Sequence, residues 1–156
     1  MSEQTKSKFL GDFGEILFAW HLRSKYGIDT AIYKGMGVDL LCRDTEGRLL
    51  PKNELVAISV KTRARGKHNI LESVTSDWTK TKEAATAWNA EPYFAYVRIC
   101  ADDGSITFFL LAVSEAEQLG KHFNVKLFED YAKIFTMRFD PYSDFWRIKE
   151  KSSRAV

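Results

Sequence analysis

Three ionisable side chains occur in otherwise apolar segments of this sequence, in the order Glu15, Asp39 and Lys61. A carboxylate in semi-apolar surroundings is costly unless a metal ion, a lysine or open water neutralises it. Hydrolysis of a phosphodiester bond uses carboxylates that bind a divalent metal, and a cation near the attacking water and the phosphate. The three residue types therefore indicate phosphodiester chemistry, provided that the fold brings them together.

Glu15 falls in a pattern that predicts a helix from Phe9 to about Tyr26, after a frayed segment 1–8. None of its neighbours one turn away on that face is basic, and the alternative interpretation is that this edge of the helix faces solvent. Apolar residues on two opposite sides predict a helix that is packed on two sides. One side holds Phe9, Phe13, Ile16, Leu17 and Trp20, and the other holds Phe18 and Leu22.

Asp39 and Lys61 belong to two strand-like runs, Val38–Arg43 and Leu55–Thr62. Aspartate is uncommon in strands, so Asp39 needs a reason, and a turn-capping role beside Gly37 is the simpler alternative. In the second run the alternation of side chains places Ser59 and Lys61 on one face. A lysine at the end of a buried strand is positioned near a cleft, unless it merely marks where the strand reaches the surface.

The motifs Gly14-Glu15, Val38–Leu40 and Ile58–Thr62 resemble those of the PD-(D/E)XK nuclease superfamily, which includes the archaeal Holliday junction resolvases and many restriction endonucleases. Gly14-Glu15 is similar to the resolvase-like branch, and the resemblance covers residues 9 to about 100. It implies a restriction-endonuclease-like α/β sandwich with a mixed central sheet flanked by helices. It also implies magnesium-dependent cleavage of nucleic acid, with Glu15 and Asp39 binding the metal. The leading hypothesis is therefore an endonuclease that cleaves DNA with Mg²⁺ (or Mn²⁺), with Glu15, Asp39, Ser59 and Lys61 as the catalytic residues.

Ser59 departs from the superfamily pattern, which usually has Glu or Gln at this position. A hydroxyl is a weaker ligand than a carboxylate for Mg²⁺. Glu54 cannot replace it, because it lies on the opposite strand face and about 17 Å away along the strand. Glu72 or Asp77 could fold back from the following loop. Two hypotheses remain: an active site with one weakly held metal, or a catalytically inactive nucleic-acid-binding module.

A basic run from Lys61 to His68 contains four Lys or Arg residues, one His and no acid. If the strand continues, Lys61, Arg63, Arg65 and Lys67 alternate onto the face of the predicted site, where they would bind the phosphates of DNA. Lys80 and Lys82 could extend this surface, and Trp78 could stack on an unpaired base. An ordinary solvated surface is the alternative interpretation.

The 156 residues predict one nuclease-like domain, with a core at about 9–113 and a C-terminal extension at 114–156. No apolar run reaches the ~18–20 residues that cross a bilayer, and the N-terminal residues do not resemble a signal peptide. Two cysteines in apolar runs, Cys42 and Cys100, do not indicate a disulfide framework. A cytoplasmic location without a membrane partner is therefore expected.

The remaining pattern predicts an order of helix, three strands, helix and further strands. The later elements are a loop at 63–77, a helix from Lys80 to Trp88, strands at Tyr93–Cys100 and Ile106–Val113 joined by a turn at Asp102–Gly104, a short helix capped by Ser114 and Glu117, and a strand at Lys133–Phe139. A third hypothesis is a structural homodimer subunit whose interface is aromatic. Its residues would be Phe135, Phe139, Tyr142, Phe145 and Trp146.

Overall fold

The computed structural model describes residues 2–65, 73–75, 78–100, 104–118, 122–124, 133–138 and 147–150, which contain three helices and nine strands. In chain order these elements are α1 (Glu3–Tyr26), β1 (Asp29–Gly35), β2 (Val38–Arg43), β3 (Leu55–Arg65), β4 (Ser73–Thr75), α2 (Trp78–Ala87), β5 (Glu91–Cys100), β6 (Ser105–Ala112), α3 (Val113–Gln118), β7 (His122–Asn124), β8 (Lys133–Arg138) and β9 (Arg147–Glu150).

Seven strands form one mixed sheet in the order β1-β2-β3-β5-β6-β8-β9, and β4 pairs with β7 in a separate ribbon. β3 and β5 are parallel, and α2 lies in the connection between them, whereas the other neighbours in the main sheet are antiparallel. The predicted α/β class with a mixed sheet is confirmed, as is the order of a helix followed by three strands, but a fourth strand, β4, precedes the second helix. β8 and β9 belong to the same sheet, so the sheet extends beyond the predicted core at 9–113.

Helices cover both faces of β3, the central strand at the candidate site. Ile58 lies in the main core cluster together with Phe18 and Leu22 of α1. Ala57, the preceding residue of the strand, packs against Ala85 of α2 on the other face. Because both faces are covered, β3 is buried as a nearly continuous apolar run, which is typical of a strand with a parallel neighbour.

The start of α1 differs from the prediction, although its end at Tyr26 is confirmed. The helix begins at Glu3, because the Ser2 side chain accepts a hydrogen bond from the Thr5 backbone N–H at 3.2 Å and caps the first turn. Residues 3–8 are therefore helical rather than frayed. Their polar composition gives no apolar period from which the two additional turns could be recognised.

The packing of α1 also differs from the prediction, since only one of its two apolar sides is buried. Phe18 and Leu22 are fully buried against the sheet. The opposite side carries Phe9, Phe13, Ile16 and Trp20, which are between 42% and 70% exposed within the part of the chain that the structure describes. Leu17, at the margin, packs partly against the core. The prediction of two packed sides is wrong for these residues, because the sheet covers only one side of the helix.

Two parts of the predicted loop at 63–77 belong to strands. β3 runs on to Arg65 because it stays paired with β5 as far as Cys100, and β4 occupies Ser73–Thr75.

The short helix α3 begins at Val113, so Ser114 does not cap it. Instead a Glu115 carboxylate oxygen accepts a hydrogen bond from the Ala112 N–H at 3.2 Å, which is half of a capping box.

Both ends of α2 are shifted by one or two residues from the prediction. The helix spans Trp78–Ala87, and Trp78 is 6% exposed, with its ring edge-to-face on Phe94 at a centroid distance of 4.9 Å. Trp78 therefore cannot offer an open stacking face, and that prediction is wrong. Asp102, Asp103 and Phe139 lie outside the described residues.

The loop between β2 and β3 is organised by Asp44, which is 1% exposed. Its carboxylate accepts hydrogen bonds from the backbone N–H groups of Glu46 at 3.2 Å, Gly47 at 2.8 Å, Leu49 at 2.8 Å and Leu50 at 3.0 Å. Burial alone would raise the pKa of this carboxyl, but the four hydrogen bonds outweigh burial and lower the pKa below its ordinary value. Asp44 thus satisfies four backbone donors while Leu49 and Leu50 enter the core.

Replacing Asp44 by Ala is expected to lower the free energy of unfolding at pH 7 by about 3 kcal/mol, since hydrogen bonds to a buried charge are lost. Because the pKa of Asp44 is lower in the folded than in the unfolded state, its contribution is complete above the unfolded-state pKa and is lost as the pH falls through the folded-state pKa. Urea unfolding at pH 7 and at acidic pH should show this difference shrinking. The exposed Asp29→Ala is the control, and a difference that does not depend on pH would contradict this role.

Candidate active site

The main sheet divides into two arms between β2 and β3. These strands pair from Arg43 and Leu55 only as far as Leu40 and Ile58. Beyond that pair β2 stays with β1, whereas β3 continues beside β5 to Arg65. We call the point of separation, next to the Leu40–Ile58 pair, the fork.

Asp39 sits at the fork as the first residue of β2 beyond the last pair with β3. Its Oδ2 accepts a hydrogen bond from the Val60 N–H at 2.6 Å. The carboxylate thus takes the place of a backbone carbonyl from the departing strand, and Val60 keeps its hydrogen bond. This explains an aspartate at this position in a strand, and it holds the half-buried side chain at the fork.

A β-bulge in β1 brings a second lysine to Asp39. Pairing passes from Ile32–Leu40 to Gly35–Val38, so that Tyr33 and Lys34 both lie opposite Asp39. The Lys34 ammonium is 3.0 Å from the Asp12 carboxylate of α1. Sequence analysis did not assign Lys34 or Asp12 to the site. Asp12 is recognisable from the sequence as a like charge three residues before Glu15 on the same helix face, but no local pattern places Lys34 opposite Asp39.

Glu15 reaches the fork because α1 presses closely against β3 at the preceding residue. A Cβ added to Gly14 would lie 1.8 Å from Thr62 Oγ1 and 2.8 Å from Thr62 Cβ, so only glycine allows this approach. Gly14 is buried and Glu15 is half-buried. The Gly14-Glu15 pair therefore has a physical basis: the glycine sets the distance between helix and strand, and the glutamate comes within electrostatic range of Asp39.

Both carboxyl groups at the fork have raised pKa values. Burial raises the pKa of Glu15, and the negative charges of Asp39 and Asp12 raise it further, while Lys34 acts in the opposite direction. Burial also raises the pKa of Asp39, against the lowering effects of the Val60 N–H, Lys61 and Lys34. Two partly desolvated carboxylates close to one another favour an additional cation.

Among the predicted catalytic residues, Glu15, Asp39 and Lys61 come within electrostatic range around Asp39. Ser59 is half-buried on β3, two residues before Lys61, and so lies on the same face of the strand. Glu54 lies before β3 begins, at the end of that strand remote from the fork, as the strand geometry predicts. Glu72, Asp77 and Lys67 lie outside the described residues.

The predicted phosphate-binding residues are distributed unequally. Arg63 is exposed on the β3 arm, where its Nη1 donates to the Thr62 carbonyl at 3.1 Å, and Arg65 is the last residue of that arm. Lys80 of α2 is exposed near the tip of the β1–β2 arm. Lys82 instead forms an ion pair with Glu117 of α3, which accounts for its position without a nucleic acid.

The donor atoms at the fork fit a hard divalent cation. Two carboxylates, with a hydroxyl on the neighbouring strand, are oxygen ligands of the kind that Mg²⁺ and Mn²⁺ prefer, and water can fill the remaining positions. Within the described ranges no group of three or more His, Cys, Asp or Glu side chains is placed to hold a metal, so water would have to supply most of the ligands of a cation bound by Glu15 and Asp39.

A cavity of about 620 Å³ opens at the end of β3 that is remote from the fork. It is lined by Arg43, Glu54 and Glu91, among others, and both of these glutamates are exposed. Exposed carboxylates keep most of their hydration, so nothing there requires a bound cation. The fork, with its half-buried carboxylates, is the better candidate for chemistry.

Comparisons of the chain with protein-family models, with curated proteins and with solved structures find no match. The geometry of the fork is therefore the basis on which a function can be proposed. No helix in the described part of the chain is both long and apolar enough to span a membrane.

Glu15→Gln is expected to raise the melting temperature of the metal-free protein slightly, by about 1–3 °C, because it removes a repelled, partly buried charge. The pKa of Glu15 is raised on folding, so its charge costs stability as the pH rises above the ordinary glutamate pKa, and the variant should gain most near neutral pH. Millimolar Mn²⁺ should raise the melting temperature of the wild type more than that of Glu15→Gln. Equal shifts in thermal melts with EDTA and with Mn²⁺ would show that Glu15 does not bind the metal.

Proposed function

We propose that the chain is a divalent-metal-dependent nuclease that hydrolyses phosphodiester bonds in DNA at the fork, cutting within the strand. The observation that carries this proposal is the pair of half-buried carboxylates, Glu15 and Asp39, between two arms that each bear a lysine, Lys34 and Lys61. Anionic groups that need a cation, next to cations that would attract a phosphate, are what such a hydrolysis requires.

Each side chain then has a defined part in the reaction. Glu15 and Asp39 hold the cation, with Ser59 or a neighbouring carbonyl and water as further ligands. When bound, Mg²⁺ or Mn²⁺ polarises the phosphate and lowers the pKa of water. Lys61 orients the attacking water and stabilises negative charge as it develops on the phosphate oxygens. The water oxygen would form the new bond to phosphorus and lose a proton to solvent, while the bond from phosphorus to the leaving deoxyribose oxygen breaks and that oxygen takes up a proton from solvent.

The basic residues beyond Lys61 supply a path for the DNA backbone. Arg63 and Arg65 belong to the β3 arm that carries Lys61, and Lys67 follows in the chain. Contacts from these residues would go to phosphates, so they would contribute affinity that depends on salt but not on base sequence. Lys80 belongs to α2, beside the tip of the β1–β2 arm.

A catalytically inactive nucleic-acid-binding module is the second candidate function. It is favoured by Ser59, which stands where the resemblance implies an acid, and by the lack, among the described residues, of a group of three or more side chains that could hold a metal. In that case the phosphate-binding arms would remain while the metal would be held too weakly for turnover. The structural homodimer hypothesis rests on Phe139, Tyr142, Phe145 and Trp146, which lie outside the described residues, and on Phe135 in β8.

Incubation with supercoiled, single-stranded and branched DNA tests these candidates directly. The nuclease is expected to need millimolar metal, to work better with Mn²⁺ than with Mg²⁺, and to stop when EDTA is added. Ser59→Glu should bind the metal more tightly and cleave faster. Retention of DNA without cleavage, by the wild type and by Ser59→Glu, would favour the binding module. Absent or salt-insensitive retention would favour the structural subunit.

A further inference from the structure

A cavity of about 370 Å³ lies on the other side of the β1–β2 arm from α1, between that arm and α2. Tyr33 and Met36 of the arm line it, together with Lys80 and Trp88 from α2 and its C-terminal end. Met36 is 86% exposed and Trp88 is 44% exposed. Both side chains are therefore open at the edge of a cavity, where they are available to contact a ligand.

The walls of this cavity are held in place by close packing. A Cβ on Gly37, whose φ is +82°, would lie 2.6 Å from the Lys80 carbonyl oxygen, so the tip of the arm rests on the backbone of α2. A Cβ on Gly35 would lie 2.0 Å from the ring of Tyr33, so that ring lies over the bare backbone of Gly35. From there it meets Trp88 edge-to-face at 5.3 Å. Gly37 thus sets the distance between the arm and α2, and Gly35 leaves room for the Tyr33 ring.

The cavity adjoins the fork. Because of the bulge, Tyr33 lies opposite Asp39 across β1 and β2, which places the first wall of the cavity about one strand spacing, ~5 Å, from the candidate catalytic carboxylate. Tyr33 and Ala57 both belong to the cluster around Ala85 of α2, so they lie on the face of the sheet that α2 covers. Lys61 lies on the same face, because it follows Ala57 by four residues on β3. A nucleotide whose phosphate lies at the fork would therefore have its base within reach of Trp88.

We propose that this cavity binds an unstacked nucleobase of the nucleic acid that is cleaved at the fork, with Trp88 and Tyr33 as the stacking surface and Lys80 near the adjoining phosphate. This site deepens the proposed function and rests on it. Each base offers a π-face, so aromatic stacking holds single-stranded nucleotides without regard to sequence. Glu83, which also lines the cavity, would repel a second phosphate but can accept a hydrogen bond from an exocyclic amino group.

The proposal commits the protein to a substrate with unpaired nucleotides next to the scissile phosphate, such as a single strand, a flap or a branch point. In a continuous duplex the base would first have to leave the stack, which costs a few kcal/mol. Duplex DNA should therefore bind more weakly than single-stranded DNA of the same length.

The test compares Trp88→Leu with Trp20→Leu, because Trp20, on the outer side of α1, is exposed to nearly the same extent at 45%. Affinity for a fluorescently labelled single-stranded oligonucleotide is measured by anisotropy in EDTA, so that no cleavage occurs. Trp88→Leu should weaken binding about tenfold, whereas Trp20→Leu should bind like the wild type. Gly35→Ala, which removes no stacking group but displaces the Tyr33 ring, should weaken binding too.

An oligonucleotide series with one abasic position supplies the matching change in the ligand. An abasic nucleotide at the position that the cavity binds should weaken binding by the wild type about as much as Trp88→Leu does. It should not weaken binding by Trp88→Leu further, because the two changes remove the same contact. Additive losses, or equal affinities of wild type and Trp88→Leu with circular dichroism showing both folded, would overturn the proposal. Metal-dependent cleavage of plasmid DNA is measured separately. If the wild type cleaves and Trp88→Leu binds the oligonucleotide like the wild type, the base-binding site is refuted and the nuclease is not. If Trp88→Leu weakens binding but the wild type does not cleave, the nuclease is refuted and the base-binding site is not.

Discussion

Asp39→Asn is expected to reduce metal-dependent DNA cleavage by about a thousandfold while the fold remains intact. The neutral amide loses a charged metal ligand, and a bound metal contributes several kcal/mol to the stability of the transition state, which corresponds to several powers of ten in rate. The amide oxygen can still accept the hydrogen bond that Val60 donates to Asp39 Oδ2 at 2.6 Å. Stability should therefore change little, and the loss should appear in the rate at saturating Mn²⁺.

The matched control for this variant is Asp29→Asn, the same replacement at an exposed position at the start of β1. It should cleave like the wild type. Linearisation of supercoiled plasmid, followed over time with equal amounts of folded protein, measures the difference. Equal rates for the wild type and Asp39→Asn would indicate a contaminating nuclease and would remove Asp39 from the site.

Gly14→Ala is expected to lower the free energy of unfolding by about 3 kcal/mol, at the upper end of the usual cost of overpacking. The new methyl group would lie 1.8 Å from Thr62 Oγ1 and 2.8 Å from Thr62 Cβ, so α1 would have to move away from β3. Glu15 would move with the helix, away from Asp39. Cleavage should consequently fall even in the fraction of the protein that remains folded.

Gly11→Ala, one turn earlier in the same helix, is the control for Gly14→Ala. A Cβ at Gly11 meets nothing within 4 Å, so alanine should stabilise the helix there by about 0.5–1 kcal/mol. Thr62→Ala should partly restore the stability of Gly14→Ala, because it removes Oγ1 and Cγ2 from the clash. Urea unfolding measures all of these variants. A Gly14→Ala protein as stable as Gly11→Ala would show that the helix and the strand are not in close contact at this point.

Local pattern was sufficient to predict several elements of this protein. Alternation and flanking glycines predict β2 with both of its ends, and Gly27 predicts the end of α1 because its φ of +65° suits the left-handed cap. The order of Glu15, Asp39 and Lys61 on helix, strand and strand also came from sequence. These features depend on neighbours within a few residues, and a chain read in order contains that information.

The tertiary structure alone decided which of two equivalent surfaces is buried. Phe18 and the Phe13 side of α1 are similarly apolar in sequence, yet only the side with Gly14 can approach the sheet closely. Trp78 and Trp88 lie at opposite ends of α2, and only Trp78 meets Phe94. Periodicity shows where apolar faces are, but which face is covered depends on elements distant in the chain.

The composition of the site was likewise decided by pairing between strands. Lys34 lies opposite Asp39 because β1 has one residue more than β2 between the Ile32–Leu40 and Gly35–Val38 pairs. Asp39 contacts Val60 because the pairing of β2 with β3 ends at Leu40, whereas its pairing with β1 continues to Val38. A bulge and a fork are properties of two strands together, since each is defined by the partner's hydrogen bonds. Neither feature can be recognised from one segment of the sequence. The sequence therefore predicted three charged residues at this site, Glu15, Asp39 and Lys61, and the fold added Lys34 and Asp12.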